Sequence, residues 1–345
     1  MKKNINQNIS YISLLQAFGI ICVLLGHSVH LFSSLGWYFH NAPTNTVCDI
    51  IHHVIYSFHM PLFIFLSGYL FYKRKKDNWK IIDYIKKRIK RLILPFFAVG
   101  FLYYIPILYL VNPQNQNLSQ IINDFITLNF CGPFWFLITL FLITIFIIAI
   151  TETKLNKIPK TVILIVFLVL SLLKISGIPF AIANVFKLAI YYYLGYLFVE
   201  YGNLFKNNII NNKIILVLCI AWNILEYFKF RNYDNNYLTT VTAIISIFLL
   251  YICSIKICNN FRNIANLSFI KILSKNMLTI YLLQEPIFIL ILKKINWGVG
   301  YNAILVAVSL FVATLLICLS VIHLRNLIIK IIKEKNKTHE NCYIG

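Results

Sequence analysis

The chain has 345 residues, of which 59% are hydrophobic and only 12% are charged, and this composition excludes a water-soluble fold because a soluble domain of that size needs more polar surface. Lysine and arginine outnumber aspartate and glutamate by 32 to 11, which gives a formal net charge of +21. A nucleic-acid-binding protein spreads such charge over a polar surface, so the composition also excludes nucleic acid as a partner.

Ten stretches approach the length and apolar character of a membrane-spanning helix, which needs about 20 residues. The sequence therefore predicts an all-α polytopic membrane protein, formed by a single domain over residues 1–345 with no soluble appendage. The first stretch is too long for the apolar core of a signal peptide, and we expect it to remain in the mature protein. The approximate cores are residues 10–32, 48–71, 92–111, 133–150, 161–176, 185–199, 214–228, 238–255, 276–292 and 302–324.

The distribution of cations predicts the orientation, because cytoplasmic loops of membrane proteins are enriched in lysine and arginine. With a cytoplasmic N-terminus, 26 of the 32 cations fall on the inner side of the ten helices and 6 on the outer side. Both termini are therefore expected in the cytoplasm. The outer loops, residues 33–47 and 112–131, are predicted to be polar and nearly free of cations.

The first predicted helix carries two polar side chains on one face. Gln16 and His27 are 11 residues apart, which is almost three helical turns and about 16 Å along the axis. His27 is expected about 24 Å from the inner end of this helix, in the outer part of the membrane. Its simplest role is a hydrogen bond between packed helices, but an ionisable group inside the membrane favours a functional role.

The second predicted helix places His59 near the middle of the membrane. Pro61, two residues later, cannot donate to the helical ladder, so a kink and a free carbonyl are expected beside this histidine. Ser67 and Gly68 form a small-residue surface where another helix can approach closely.

Other polar residues allow several interpretations. Glu285, beside Pro286, is interpreted mainly as a cap for the interrupted ladder or the partner of a lysine. His30, His52 and His53 suggest a metal site, but carboxylate ligands are missing from the pattern, so we expect no metal. The eight cysteines show no metal-binding spacing and are interpreted as apolar fillers, with a disulfide between Cys48 and Cys131 as a minor alternative.

A basic segment precedes the third predicted helix. Much of this charge is expected to anchor the topology and to attract anionic membrane lipids. Arg88 and Arg91 are three residues apart, so on a helix that enters the membrane they form one cationic face suited to phosphates. The sequence therefore predicts that a phosphorylated donor binds here from the cytoplasm.

Five runs of residues, in this order along the chain, together resemble the integral-membrane acyltransferase-3 family. The resemblance covers residues 9–325 approximately and is closest to the sugar O-acetylase branch, such as fucose 4-O-acetylase-like proteins. The runs are Ala17 to Ser28, ending in Leu25-Gly26-His27-Ser28; Phe58-His59-Met60-Pro61-Leu62-Phe63 with Ser67-Gly68-Tyr69; Arg88 to Pro95; Phe134-Trp135-Phe136-Leu137; and Tyr281-Leu282-Leu283.

The resemblance implies about ten spanning helices in a bacterial-type plasma membrane. It also implies that acetyl-CoA, or another acyl-CoA, is the cytoplasmic donor, and that a glycan or lipid-linked sugar outside the cytoplasm is the acceptor. The family's first-helix motif is a basic residue, ten further residues and a histidine. The histidine maps to His27, but the basic residue maps to Gln16, which has no charge. Gln284 is a second departure, because many relatives carry histidine there.

The predicted site combines these residues into an O-acetyltransferase. His27 and His59 are the predicted catalytic residues, with His27 as a general base or a transient acyl carrier. Arg88, Arg91 and Gln16 are predicted to bind the donor. The supporting residues are Ser67, Trp135, Tyr281 and Glu285.

An alternative interpretation is a non-catalytic membrane component of polysaccharide export or assembly in the cell envelope. Such a protein also needs polar membrane helices and a basic cytoplasmic face, and the departures at Gln16 and Gln284 favour it. It does not need His27 together with phosphate-binding arginines, so we prefer the enzyme.

Overall fold

The computed structural model describes residues 2–34, 44–75, 79–111, 117–129, 131–205, 212–231, 235–261, 263–294 and 302–342. These residues form helices and their connections, with no strand among them, as the hydrophobic stretches predict. The helices are α1 (Lys2–His30), α2 (Thr46–Lys75), α3 (81–111), α4 (Leu118–Ile126), α5 (Trp135–Glu152), α6 (Lys160–Leu172), α7 (Phe180–Phe205), α8 (Asn212–Arg231), α9 (Asn236–Asn260), α10 (Ser268–Lys294) and α11 (Ala303–Cys342).

Among the described residues, seven helices are long and apolar enough to cross a membrane, namely α1, α2, α3, α5, α7, α9 and α11. The other three predicted cores also coincide with helices, but α6 is a shorter apolar helix of 13 residues. Helices α8 and α10 contain the charged residues Glu226, Lys229 and Glu285. Ten membrane crossings therefore remain a prediction, whereas an all-helical protein with several spanning helices is confirmed.

Contacts between helix ends show which ends lie on the same side of the bundle. Each contact joins two ends that ten alternating crossings would place on the same, cytoplasmic side. Lys75 of α2 forms an ion pair with Glu152 of α5, with 2.5 Å between Nζ and Oε1. Lys160 forms a second ion pair with Glu200, and hydrogen bonds join Lys256 to Asn212 and Arg325 to Asn276.

Helix α1 lies inside the bundle, where it contacts α2, α9, α10 and α11. Polar and apolar side chains are not separated onto opposite faces of α1, because protein surrounds this helix on most sides. Near its N-terminal end, Tyr11 forms hydrogen bonds with Tyr69 of α2 and Tyr251 of α9 at oxygen–oxygen distances of 2.8 and 3.4 Å. These buried hydroxyls join three helices at one depth.

Helices α2 and α7 pack with their backbones almost in contact. A Cβ atom on Gly68 would lie 1.9 Å from the carbonyl oxygen of Tyr192, and one on Gly195 would lie 2.1 Å from that of Phe65. Any larger side chain at either position would have to push the helices apart. The predicted small-residue contact surface at Gly68 is confirmed.

Helix α3 is interrupted by two π-helical turns. It consists of the α-helical segments Ile81–Arg88, Leu94–Val99 and Ile105–Val111, joined by the π-helical turns Ile89–Ile93 and Gly100–Tyr104. Each π-helical turn is followed two residues later by a proline, Pro95 or Pro106. Since proline has no N–H to donate, the regular ladder cannot continue past these positions, and wider turns accommodate the lost bond.

Polar side chains order part of the connections that are predicted to be outer. Asp49, in the first turn of α2, accepts hydrogen bonds from the hydroxyl of Ser33 at 2.8 Å and the backbone N–H of Ser34 at 2.6 Å. Most of the predicted outer loop 33–47 lies outside the described residues. The predicted loop 112–131 contains the short helix α4, and Cys48 and Cys131 are free, so no disulfide joins them.

Candidate active site

A cavity of about 730 Å³ opens at the end of the bundle that carries the N-terminal part of α3. Its volume is within the range of sites that bind small molecules and cofactors. The wall contains residues of α1, α2, α3, α5 and α10, and the lining residues are Gln16, Phe63, Leu66, Ser67, Leu70, Lys73, Arg74, Trp79, Lys80, Asp83, Tyr84, Lys87, Arg88, Arg91, Leu92, Phe136, Leu140, Met277 and Leu278.

The cavity brings together three residues predicted to bind a phosphorylated donor, Gln16, Arg88 and Arg91. Ser67, predicted as a supporting residue, also lines it. Six lining residues are cations and a single one is an acid, so the mouth of the cavity carries a strong positive charge. These groups are Lys73, Arg74, Lys80, Lys87, Arg88, Arg91 and the acid Asp83.

The guanidinium of Arg88 is fixed in position by Tyr84. Its Nε and Nη2 atoms donate hydrogen bonds to the Tyr84 hydroxyl at 2.9 and 2.5 Å. The Tyr84 ring packs edge-to-face against Trp79 and Phe71, with centroid distances of 4.7 and 5.6 Å. A guanidinium held in this way loses little conformational freedom when it binds a planar or tetrahedral anion.

The rest of the cavity is apolar and is formed by side chains such as Phe63, Phe136 and Met277. Trp135 does not line the cavity, because its ring packs against Phe180 with a centroid distance of 5.4 Å. Its neighbour Phe136 lies in the wall. The cavity thus combines a cationic mouth with an apolar interior, which fits a ligand that carries phosphates at one end and a less polar arm at the other.

His27 and Glu285 form a buried pair between α1 and α10. The Nδ1 atom of His27 lies 3.0 Å from Oε2 of Glu285, and the two side chains are 11% and 1% exposed. The structure thus pairs Glu285 with a histidine rather than with the lysine considered from the sequence. When Nδ1–H donates to the carboxylate, the lone pair of a neutral imidazole is on Nε2, the nitrogen that can accept a proton.

Aromatic side chains surround this pair. The Phe288 ring lies 6.5 Å from the His27 ring, and a Cβ on Gly26 would lie only 3.3 Å from the ring of Tyr56. Tyr281, predicted as a supporting residue, donates its hydroxyl proton to the carbonyl of Pro133 and packs edge-to-face on Phe136. Tyr281 therefore links the wall of the cavity to the helix turn that precedes Glu285.

His59 is 4% exposed. Its Nδ1 donates to the carbonyl of Ile55 at 2.8 Å, so its Nε2 also carries a lone pair. Helix α2 continues through Pro61 without interruption. His59 therefore contacts the carbonyl of Ile55, four residues before it, and not a carbonyl freed by a break at Pro61.

The positions of the two histidines relative to the cavity follow from helix geometry. Gln16 lines the cavity and His27 lies 11 residues further along α1, about 16 Å along the axis. On α2, Phe63 lines the cavity and His59 lies four residues earlier, about 6 Å along the axis. The two histidines therefore lie beyond the apolar end of the cavity.

Three further histidines lie in the same half of the bundle. His30 Nδ1 and His52 Nε2 are 2.8 Å apart, and His53 Nε2 lies 3.1 Å from Oε2 of Glu226. Within the described ranges, no group of three or more histidine, cysteine or acidic residues is arranged to bind a metal ion. The sequence analysis did not predict a role for Glu226. Its position as a charged residue within the apolar stretch 214–228 already indicates a candidate functional residue.

A family model described as an acyltransferase domain, Acyl_transf_3, matches residues 9–323. No similar curated protein and no similar solved structure was found.

Proposed function

From the premise that this chain belongs to the acyltransferase-3 family and is a membrane acyltransferase, we propose that it transfers an acetyl group from cytoplasmic acetyl-CoA to a glycan hydroxyl on the opposite side of the membrane. The acceptor is a surface or lipid-linked glycan of the cell envelope, and the membrane is a bacterial-type plasma membrane. Within the family, this places the chain in the sugar O-acetylase branch.

The observation that carries the proposal is the arrangement of two sites along α1. Gln16 lies in the cationic cavity, and the His27–Glu285 pair lies on the same helix about 16 Å further along its axis. A donor with a phosphorylated head and a long arm matches this arrangement, because the head binds at the mouth while the arm extends through the apolar interior. Acetyl-CoA has that shape.

The cationic mouth binds the phosphates of the donor. Arg88, whose guanidinium is fixed by Tyr84, and Arg91 provide forked donors to phosphate oxygens. The missing charge at Gln16 is compensated by Lys73 and Lys87, which line the same cavity. The Gln16 amide still offers hydrogen bonds to a phosphate or a carbonyl.

The chemical step uses His27 as the general base. Nε2 of His27 accepts the proton of the acceptor hydroxyl while the hydroxyl oxygen attacks the thioester carbonyl. The tetrahedral intermediate expels the CoA thiolate, which takes the proton from His27 and leaves as CoA thiol. Glu285 keeps the Nδ1–H tautomer and stabilises the imidazolium that forms between these steps. His59 Nε2 accepts a hydrogen bond from the acceptor and orients it.

The proposed orientation has both termini in the cytoplasm and ten crossings. The ion pair between Lys75 and Glu152 and the contact between Arg325 and Asn276 support the alternating directions of the helices, because they join ends that alternating crossings place together. The excess of lysine and arginine at these ends supports their location in the cytoplasm. The cationic mouth then faces the cytoplasm, where acyl-CoA is found.

Chemical analysis of cell-envelope glycans tests the function. Cells that lack the protein are expected to make the same glycan without its ester-linked acetyl, and plasmid-borne protein is expected to restore the ester. Mild alkali followed by measurement of released acetate gives the amount. If the polymer itself is missing from the cell surface, a role in polysaccharide export explains the result and the proposed enzyme is wrong.

Replacing Arg88 with alanine is expected to raise the KM for acetyl-CoA by about ten- to a hundredfold, because one charge-assisted hydrogen bond to a phosphate is lost. The KM for the acceptor should change little. Initial rates of the purified protein in lipid nanodiscs, measured over a range of acetyl-CoA concentrations, give both constants. Lys154→Ala is the matched control, since Lys154 is an exposed cation outside the cavity. An equal effect of both substitutions would exclude a specific phosphate site at Arg88.

A further inference from the structure

A second cluster of charged side chains is buried between α2 and α8. Glu226 and Lys229 of α8 are 8% and 6% exposed, and His53 of α2 is 5% exposed. Oε2 of Glu226 lies 3.1 Å from Nε2 of His53 and 3.9 Å from Nζ of Lys229. Neither the acyl-donor cavity nor the His27–Glu285 pair contains any of these residues.

Helix packing alone is a poor explanation for this cluster. Neither carboxylate oxygen of Glu226 has a hydrogen-bond donor with good geometry among the described residues, although both oxygens are buried. A buried carboxylate without well-oriented donors is costly. Nε2 of His53 at 3.1 Å and Nζ of Lys229 at 3.9 Å both approach the same oxygen and recover only part of that cost. Ionisable groups placed inside a membrane protein at such cost usually serve a substrate or an ion.

The cluster is close to the proposed reaction centre and on its outer side. His53 follows His52, whose Nε2 lies 2.8 Å from Nδ1 of His30, and His30 lies one helical turn after His27. Glu226 and Lys229 are near the C-terminal end of α8. The other end of α8, at Asn212, forms a contact with Lys256 on the side assigned to the cytoplasm. A ligand at the cluster would therefore approach from the side opposite to the donor.

We propose that Glu226, Lys229 and His53 bind a sugar ring of the acceptor, next to the ring that receives the acetyl group. This inference rests on the proposed function. Two neighbouring sugar hydroxyls provide the donors that the Glu226 carboxylate lacks, and the Lys229 ammonium donates to a hydroxyl or ring oxygen. The ring of Phe230, with its centroid 5.2 Å from that of His53, offers an apolar surface to the sugar.

The test compares Glu226→Gln with the wild-type protein in two reactions. The first is hydrolysis of acetyl-CoA by the purified protein in nanodiscs, in which water replaces the sugar. The second is the amount of ester-linked acetyl on the envelope glycans of cells that contain equal amounts of protein. E226Q is expected to hydrolyse acetyl-CoA at the wild-type rate and to lower glycan acetylation by at least about tenfold, because a charged acceptor of hydrogen bonds is lost.

Glu200→Gln is the matched control, since Glu200 also forms an ion pair between two helices, with Lys160, but at the cytoplasmic ends. It should alter neither reaction. If E226Q fails to accumulate, Glu226→Asp keeps the charge but withdraws the carboxylate, and it must show the same selective loss. Wild-type glycan acetylation in E226Q, or an equal loss in both reactions, would overturn the sugar subsite alone. A wild-type protein inactive in both reactions would instead overturn the proposed function.

Discussion

Replacing His27 with glutamine is expected to lower acetyl transfer by about a thousandfold, because the reaction loses the group that accepts the proton of the acceptor hydroxyl. Glutamine retains a hydrogen-bonding side chain of similar length, so it can still contact Glu285 of α10 and the helices should pack as before. The KM for acetyl-CoA should change little, since the cationic mouth lies about 16 Å away along α1.

The measurement is the rate of glycan acetylation per amount of membrane-inserted protein. His323→Gln provides the control, because His323 is an exposed histidine in the C-terminal half of α11, outside the proposed site. This variant should retain the wild-type rate. A normal product from H27Q would remove His27 from the chemical step. If the variant only accumulates poorly, the amount of inserted protein falls with the total rate. The rate per amount of inserted protein then equals that of the wild type.

Replacing Glu285 with glutamine is expected to reduce kcat by about 10²- to 10⁴-fold, although Glu285 does not touch the substrates. The amide can donate to Nδ1 of His27, so the imidazole can take the other tautomer and present a protonated Nε2 to the acceptor. The carboxylate that stabilises the imidazolium is also lost. E285Q keeps the size of the side chain within its buried site.

The variant that carries both H27Q and E285Q tests whether Glu285 acts through His27 or whether the two residues act independently. If Glu285 acts through His27, the combined H27Q and E285Q substitutions should be hardly slower than H27Q alone. Multiplicative losses would show that Glu285 has a separate role. Glu285→Asp provides a further check, because it keeps the charge and should recover part of the rate that E285Q loses.

The shared position of Arg88 and Arg91 on one cationic surface could be predicted from the sequence, because it depends on a local pattern, whereas donor binding by these residues stays a prediction. Arg88 and Arg91 are close in the chain and lie in a basic segment before an apolar stretch, and the cavity contains both. The role of Tyr84 in fixing Arg88 was not predicted, although the two are only four residues apart. The π-helical turn Ile89–Ile93, which follows Arg88, could not be distinguished from a regular helix.

The pairing of Glu285 with His27 could not be predicted, since 258 residues separate them and only the packing of α1 against α10 brings them together. Hydrophobic stretches predict which segments are helices, but they do not say which helices touch. Among the described residues, seven of the ten predicted stretches form helices that meet the length and hydropathy of a membrane span, and α6 is too short to be counted.

The close contact of Gly68 with α7 has a consequence for the choice of donor. Ser67, at the cavity, and His59 are eight residues apart on α2, about 12 Å along its axis. This separation is fixed because both residues lie on one continuous helix, and the contact of Gly68 with Tyr192 holds that helix against α7. A ligand that extends from Ser67 to His59 must therefore span this distance along α2. If the donor phosphates bind at the cationic mouth and the imidazoles catalyse the transfer, as proposed, a compact acyl phosphate would leave its reactive carbon too far from His59. The proposed site therefore selects its donor by length before any reaction takes place.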